Sequence, residues 1–326
     1  MDKRTAAGLI LAVLFAAAGI FCLRGTFFQK KVLPTHVYTF SIMGTTASFS
    51  FSGVEQAAAL RAAESGKAAF EEVTKIANLY DQNSELSRLN MSAYRKEFIC
   101  SRLLWQMIEE AAFAWHFSGG AFDITVKPLM DLWGFYRKRG KIPLPAEIVS
   151  AREKTGFEKL ILNRQKRSIR FSVPGMALDL GGIAKGFALD LAAAKVSPHI
   201  QTGVLDLGGN LKFLSHPPAG RSFYTVGIKD PGAPHKLKKT VTAAPGTAVS
   251  TSGDYERFVT LENKKFGHII NVRTGIPQRK NGSATVIAPS AMRADWLSTA
   301  AFQEGKMLAE KIRKELADCR VIWVEK

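Results

Sequence analysis

Apolar and polar positions along this chain follow two periods, which alternate over short segments. Val37–Phe51 alternates residue by residue and is rich in β-branched and aromatic side chains, so it predicts a pair of strands broken at residues 43–46. Gln56–Ala77 instead places its large apolar residues at helical spacing, which predicts a long helix. Ser101–Phe117 predicts a second helix, and Gly119-Gly120 would end it.

Shorter elements are predicted for the rest of the chain. Residues 79–90 begin polar and end in a helical turn, and the basic, proline-containing residues 137–145 predict a surface excursion. Short strands are predicted at 160–162, 168–172, 204–207, 223–228, 247–250 and 284–288, with helices at 182–194 and 294–301. This mixture, without a repeat or an obvious domain boundary, predicts a mixed α/β (α+β) body.

The N-terminus carries an uncharged apolar run, Ala6–Leu23, between basic residues. As a helix its 18 residues would span about 27 Å, near the lower limit for crossing a bilayer. We predict that residues 1–31 are a signal anchor or signal peptide with a linker, and that residues 32–326 form one domain. Lipidation at Cys22 is disfavoured because the bulky Phe21 precedes it. Each alternative exports the domain, which predicts the periplasmic side of the inner membrane.

Charge narrows the class of partner. The formal net charge is +17, and removing residues 1–31 takes away five basic side chains and one acidic one, which leaves +13. An exported protein rarely meets nucleic acid, so we expect no nucleic-acid partner. Anionic lipid, an acidic protein or a phosphorylated ligand fits this charge better, and a basic surface without a specific partner stays open. The three cysteines form neither a disulfide framework nor a metal-binding motif.

Two glycine-containing turns could approach a phosphate. Asp179–Gly186 is a small-residue turn that leads into a predicted helix, where free N–H groups, the helix dipole and Lys185 favour an anion. Its glycine spacing matches neither a Walker A loop nor a dinucleotide fingerprint. Leu205–Asn210 is a predicted strand that ends in a tight turn, and a purely structural role is equally open.

Three further segments carry polar groups with more than one interpretation. Asp123, after Gly119-Gly120, could accept hydrogen bonds from a ligand, or the glycines could simply end a helix before a strand. His268 lies at a predicted strand end, where it could act as a base or be an ordinary strand residue. Asp295 and Thr299 share a helix face and offer the sparse oxygen ligands that suit Mg²⁺. Alternatively, Asp295 caps the helix and Thr299 bonds back to it.

Taken in order, these segments resemble the ApbE family of FAD:protein FMN transferases over residues 40–303. The resemblance implies a single compact ApbE-like body with a flavin cleft, preceded by an N-terminal hydrophobic helix. The motifs that carry it are Met43-Gly44-Thr45, Tyr80–Asn90, Gly120–Asp123, Pro128-Leu129, Trp133–Phe135, Asp179–Gly186, Gly208–Asn210, Thr251–Tyr255, His268–Ile270, Thr274-Gly275 and Ala294–Ala300.

The resemblance also implies roles for residues. Mg²⁺ would be held by Asp295, Thr299 and the backbone carbonyl of Gly182, and His268 matches the position proposed as the base. The positions that would contact FAD are Met43, Tyr80, Ala121, Phe122, Asp123, Asp179 and Lys185. A Thr or Ser of an exported redox-complex subunit with an Asp-x-x-(Ser/Thr)-Gly-Ala-(Ser/Thr)-like segment would accept FMN, and AMP would leave.

Departures from the family pattern keep other functions open. Gly267 precedes His268, where the family commonly has Ser, and Phe21-Cys22 does not fit the lipoprotein signal of many members. An FAD pyrophosphatase would use water in place of the protein hydroxyl. A flavin-binding electron-transfer protein would keep FAD intact, and a basic membrane-associated module would ignore flavin.

Overall fold

The computed structural model describes residues 34–253, 257–278 and 282–325. The predicted N-terminal hydrophobic helix lies outside these ranges. Within them, every helix is too short or too polar to span a bilayer. From Thr35 onward the chain forms one compact unit.

Helices and strands follow one another along the whole body. The α-helices of the described residues are α1 Gln56–Ala77, α2 Glu85–Ser92, α3 Arg102–Phe117, α4 Lys127–Leu132, α5 Pro145–Glu153, α6 Ala184–Val196, α7 Ala291–Glu304 and α8 Lys306–Glu315. The strands are β1 Thr35–Ile42, β2 Thr45–Ser52, β3 Phe98–Ile99, β4 Leu160–Asn163, β5 Ser168–Phe171, β6 Gly203–Leu207, β7 Asn210–Phe213, β8 Tyr224–Asp230, β9 Ala233–Ala243, β10 Ala248–Gly253, β11 Phe258–Leu261, β12 Lys264–Gly267, β13 Ile270–Asn271, β14 Ile276–Pro277, β15 Gly282–Ala288 and β16 Arg320–Glu325.

Seven strands build the central sheet, in the order β1-β2-β6-β7-β10-β15-β16, and each neighbouring pair is antiparallel. Two-residue turns join β1 to β2 at Met43-Gly44 and β6 to β7 at Gly208-Gly209, with all four φ angles positive. Glycine adopts this conformation without strain. The Gly208 N–H donates to the Thr46 carbonyl at 2.9 Å, so the two turns lie together at one end of the sheet.

Both faces of the sheet are covered. The main core packs α1, α6 and α7 on one face, around large buried side chains such as Phe49, Phe70 and Trp296. The β8–β9 ribbon covers the other face of β7, β10, β15 and β16 through its own apolar cluster, which includes Tyr224. A third cluster joins residues 127–153 to residues 257–278 around Trp133, and we call these two segments the lobe.

The N-terminal end of α6 crosses that of α7 at very short range. A Cβ atom at Gly186 would overlap the Ala291 carbonyl and lie 2.6 Å from the Met292 Cα atom. Asp190 of α6 accepts hydrogen bonds from the N–H groups of Ala291 and Met292, each at 2.8 Å. The Gly186 N–H donates to the Asp295 carboxylate at 2.9 Å. Only glycine permits so close an approach at this position. The close contact and the hydrogen bonds together fix the position of α7 relative to α6.

The predicted mixed α/β body is confirmed, in its α+β form because the sheet is antiparallel. The α1 helix has the predicted bounds, and α3 begins one residue after its N-cap Ser101. The alternative that a strand follows Gly119-Gly120 is wrong, because Ile124–Val126 forms a 3₁₀ turn that Asp123 caps. The long strand β9, the helix α8 and the strand β16 were not predicted.

We expect Gly186→Ala to lower the free energy of unfolding by about 1–3 kcal/mol, because the added methyl group has only rigid backbone to displace. Urea denaturation would measure this. Lys195→Ala is the matched control on α6, since it removes only a surface ion pair with Glu72, worth less than about 1 kcal/mol. Equal effects of the two substitutions would contradict a tight crossing.

Candidate active site

A cavity of about 690 Å³ lies at the end of the sheet where the two hairpin turns meet. All eleven residues that the sequence analysis singled out line it: Met43, Tyr80, Ala121, Phe122, Asp123, Asp179, Gly182, Lys185, His268, Asp295 and Thr299. They come from segments far apart in the chain, so the fold brings them together.

The turn before α6 forms an anion-friendly wall. Asp179 stabilises this turn by accepting hydrogen bonds from the Gly181 N–H at 2.8 Å and the Tyr136 hydroxyl at 2.6 Å. The first turn of α6 contains no acidic residue, and its N-cap Ile183 has no side-chain acceptor. The positive end of the helix dipole and Lys185 therefore face the cavity together, which favours a phosphate.

Two oxygen-bearing side chains of α7 lie beside that wall. The Asp295 Oδ2 atom accepts the Gly186 N–H, whereas Oδ1 lies 3.5 Å from the Ser250 hydroxyl. The Thr299 hydroxyl lies 3.4 Å from the Asp295 carbonyl oxygen, a weak form of the back-bonding considered above. Helix-capping by Asp295 is wrong, because Ser290 caps α7.

Gly182 completes this group of oxygen atoms. A Cβ atom at Gly182 would lie 3.6 Å from the Thr299 hydroxyl and 2.9 Å from the Phe122 ring, so the backbone there is close to both. No group of three or more His, Cys, Asp or Glu side chains capable of holding a metal occurs in the described part of the chain. One carboxylate with a hydroxyl and a carbonyl suits Mg²⁺, which takes few protein ligands and shares its remaining positions with water and phosphate oxygens.

A buried hydroxyl network supports Asp295 and Thr299 from below. The Ser298 hydroxyl donates to the Asp295 carbonyl oxygen at 2.8 Å and lies 2.8 Å from the Ser252 hydroxyl. Ser252 in turn lies 3.3 Å from the Thr299 hydroxyl. These contacts tie α7, which carries both side chains, to β10 of the central sheet.

His268 directly follows β12 and is oriented by Arg257. Its Nδ1 atom lies 3.2 Å from the Arg257 carbonyl oxygen, and its backbone N–H donates to the same oxygen at 3.0 Å. Because a carbonyl oxygen only accepts, Nδ1 carries the proton and Nε2 keeps its lone pair. Burial, helped by the positive charges of Lys185 and Arg257, lowers the pKa of His268 to about 4. The imidazole is therefore neutral at pH 7 and able to accept a proton.

An aromatic group forms the outer wall. The Tyr80 ring is 69% exposed, and its centroid lies 5.4 Å from that of Tyr136. The Arg257 guanidinium donates to the Tyr80 hydroxyl at 3.1 Å and to the Phe135 carbonyl at 2.8 Å. Burial, followed by the nearby Asp179 carboxylate, raises the pKa of Tyr136. Tyr80 is thus an accessible platform on which a planar ring could stack.

Two residues of this wall, Arg257 and Tyr136, were not predicted from the sequence. Arg257 lies two residues after the Thr251–Tyr255 motif, and Tyr136 follows the Trp133–Phe135 motif directly. Both act through contacts to residues distant in the chain, which no local spacing reveals. Their position beside quoted motifs was the available signal.

Asp123 lines the cavity but is held by internal donors. One carboxylate oxygen accepts from the N–H and the hydroxyl of Thr125, at 2.8 and 2.7 Å, and the other accepts from the Phe157 N–H at 3.0 Å. Burial raises the pKa of Asp123, although these bonds oppose the change. The carboxylate therefore builds the wall that carries Ala121 and Phe122.

Known proteins resemble this chain over most of its length. The model of the ApbE family matches residues 43–323. The FAD:protein FMN transferase of Haemophilus influenzae is 29% identical over 315 residues, which cover 94% of this chain and 89% of that protein. The protein of the same name from Salmonella typhimurium is 31% identical over 239 residues, which cover 72% and 68%.

Solved structures agree with this result. The ApbE protein of Thermotoga maritima is similar with a TM-score of 0.81 at 26% identity, covering 90% of this chain and 94% of that one. The flavin transferase ApbE of Vibrio cholerae is similar with a TM-score of 0.74 at 25% identity, with the same coverage.

We expect Asp123→Asn to lower the free energy of unfolding by about 1–3 kcal/mol, because the amide cannot accept from all three internal donors. Asp131→Asn is the control, since the Asp131 side chain is exposed and its ion pair is with Lys127 of the same helix. Urea denaturation of both variants would measure the two changes in the free energy of unfolding. An Asp123→Asn protein as stable as the wild type would remove the structural role of this carboxylate.

Proposed function

Because the chain belongs to the ApbE family, we propose that it is a Mg²⁺-dependent transferase that moves FMN from FAD to a Thr or Ser hydroxyl of a partner protein and releases AMP. The names of the relatives support the transferase class. The observation that carries the proposal is the meeting, in one cavity, of a neutral imidazole, a cationic helix N-terminus and the oxygen atoms around Asp295.

The chemistry is a displacement at phosphorus. The Nε2 atom of His268 takes the proton of the acceptor hydroxyl, and the hydroxyl oxygen bonds to the FMN-side phosphorus. The bond from that phosphorus to the bridging oxygen breaks, and AMP leaves with the bridging oxygen. Because the Nδ1 proton is held by the Arg257 carbonyl, Nε2 is the atom of His268 that is free to act.

Binding groups surround the reacting bond. The exposed Tyr80 ring offers a stacking surface for a flavin or adenine ring, and Lys185 with the N-terminus of α6 holds the pyrophosphate. Asp295, Thr299 and the Gly182 carbonyl would hold Mg²⁺, which supplies Lewis-acid neutralisation of the pyrophosphate charge. The Gly186 N–H binds Asp295 Oδ2 at 2.9 Å, whereas Oδ1 has a long contact of 3.5 Å with the Ser250 hydroxyl, so Oδ1 is the oxygen that we assign to this task.

The proposed acceptors are exported subunits of membrane redox complexes that carry the Asp-x-x-(Ser/Thr)-Gly-Ala-(Ser/Thr)-like segment. The proposed location is the inner membrane, with residues 1–31 as anchor or signal and the catalytic domain on the periplasmic side. The apolar run Ala6–Leu23 and its basic flanks support this location.

The decisive experiment combines the full chain in detergent, FAD, Mg²⁺ and an exported subunit that bears this segment, with intact mass as the readout. We expect the subunit to gain the mass of one FMN, and EDTA or Asp295→Ala to abolish the gain. Asp131→Ala, an exposed aspartate outside the cavity, is the matched control. Free FMN with AMP would instead identify a pyrophosphatase, and recovery of intact FAD would identify a flavin carrier.

The low pKa of His268 predicts the pH profile of transfer. As a base it must be neutral, so kcat/KM should be flat from about pH 5.5 to 8 and should fall as pH drops toward its pKa of about 4. We call this fall in kcat/KM at low pH the acid limb. Lys185→Gln removes a positive neighbour, so the pKa of His268 should rise and the acid limb should move to higher pH. Lys195→Gln, near the far end of α6, should leave the limb in place.

His268→Ala should remove the acid limb and slow transfer by about 10²–10⁴-fold while FAD affinity changes little. A wild-type limb near pH 6.5, the ordinary pKa of histidine, would contradict the buried environment described above. A limb unmoved by Lys185→Gln would contradict the electrostatic coupling.

A further inference from the structure

The lobe carries exposed basic side chains that form no ion pair with the described residues. We call five of them the basic rim, and each is exposed to solvent: Arg137, Lys138, Lys141, Lys264 and Lys265. Ion pairs within 4.0 Å elsewhere in the lobe join Lys127 to Asp131, Arg139 to Glu147 and Arg273 to Glu304, and no described residue forms one with the rim. Glu262 lies between the two segments of the rim, so the five basic side chains still leave a net positive charge there.

Internal contacts hold the two segments of the rim in one surface. The Ile142 N–H donates to the Glu262 carboxylate at 3.1 Å, next to Lys264. The rings of Trp133 and Phe266 lie 5.0 Å apart beneath it. These contacts join residues 133–142 to the β11–β12 hairpin, so the two segments that carry the basic side chains are held next to each other.

The rim borders the cavity without belonging to it. None of its five side chains lines the cavity, whereas Tyr136, directly before Arg137, does. Lys265 precedes His268 by three residues, which is about 10 Å along an extended chain. A protein that brings a hydroxyl to His268 must cover the surface around it, because a stable interface buries about 800 Å² on each partner.

We propose that the basic rim is the docking surface for the acceptor protein and that it selects acceptors with acidic residues flanking the modified hydroxyl. This inference rests on the proposed transferase function. Positive charges at such a rim attract an acidic partner and repel a basic one, mainly through the rate of association. FAD is also an anion, but its pyrophosphate is held by Lys185 and α6 inside the cavity.

The test measures binding separately from chemistry. The probes are two fluorescent peptides of equal length, each with one central Thr, flanked by four Glu in one and four Lys in the other. The full chain in detergent should bind the Glu peptide at least tenfold more tightly than the Lys peptide at low salt, and added salt should shrink this difference.

Two triple variants locate the effect. Arg137→Gln/Lys138→Gln/Lys265→Gln should weaken binding of the Glu peptide about tenfold. The control variant Lys236→Gln/Lys238→Gln/Lys239→Gln removes the same number of charges from the exposed part of β9 in the β8–β9 ribbon. It should weaken binding of the Glu peptide far less. Equal losses in both variants would show attraction to net charge alone and would overturn the proposal, as would unchanged binding in the rim variant.

FAD affinity, followed by flavin fluorescence, separates the remaining explanations. It should be the same in the rim variant and the wild type, and a parallel loss of FAD binding would assign the rim to the cofactor and overturn the proposal. A failed transferase function would leave a different pattern. The acceptor subunit of the mass experiment would gain no FMN, while the rim-dependent preference for the Glu peptide would persist.

Discussion

The site depends on how closely α6 can approach α7. Gly186 has no side chain, so its backbone lies against Ala291 and donates a hydrogen bond to Asp295. Asp190, one turn further along α6, holds the first N–H groups of α7. One contact region thus sets the direction of the α6 dipole, the orientation of the Asp295 carboxylate and the distance between them. Groups on rigid helices with buried support keep such geometry better than groups on loops.

Charge in the cavity serves two purposes at once. The α6 N-terminus and Lys185 make the wall positive, which suits a pyrophosphate. The same positive charge, added to burial, keeps His268 neutral, so the group that should accept a proton is not already protonated. The Arg257 carbonyl weakly opposes this effect but determines which nitrogen carries the proton. The positive charge that suits a phosphate therefore also keeps the base neutral, so the two properties of the cavity are compatible.

Local pattern predicted the parts of the fold that local physics determines. The α1 helix has the predicted bounds because its apolar residues keep helical spacing throughout, and the hairpin at Met43-Gly44 interrupts a clear alternation. The outer half of β9 is exposed on both faces, so it carries no alternation to detect. The gathering of the site residues was implied by family resemblance and not by their spacing. Asp123 lines the cavity as predicted from the resemblance, and the structure adds that Thr125 and Phe157 donate to its carboxylate.

The direction of β1 determines which of its ends meets the cavity. This strand begins at Thr35, and the turn after it lines the cavity, so its eight residues separate the two points by about 27 Å. Thr35 itself therefore lies at the end of the sheet remote from the cavity. The two ends of β1 therefore differ in what they meet: one end leads into the turn that borders the cavity, and the other is separated from that turn by the whole length of the strand.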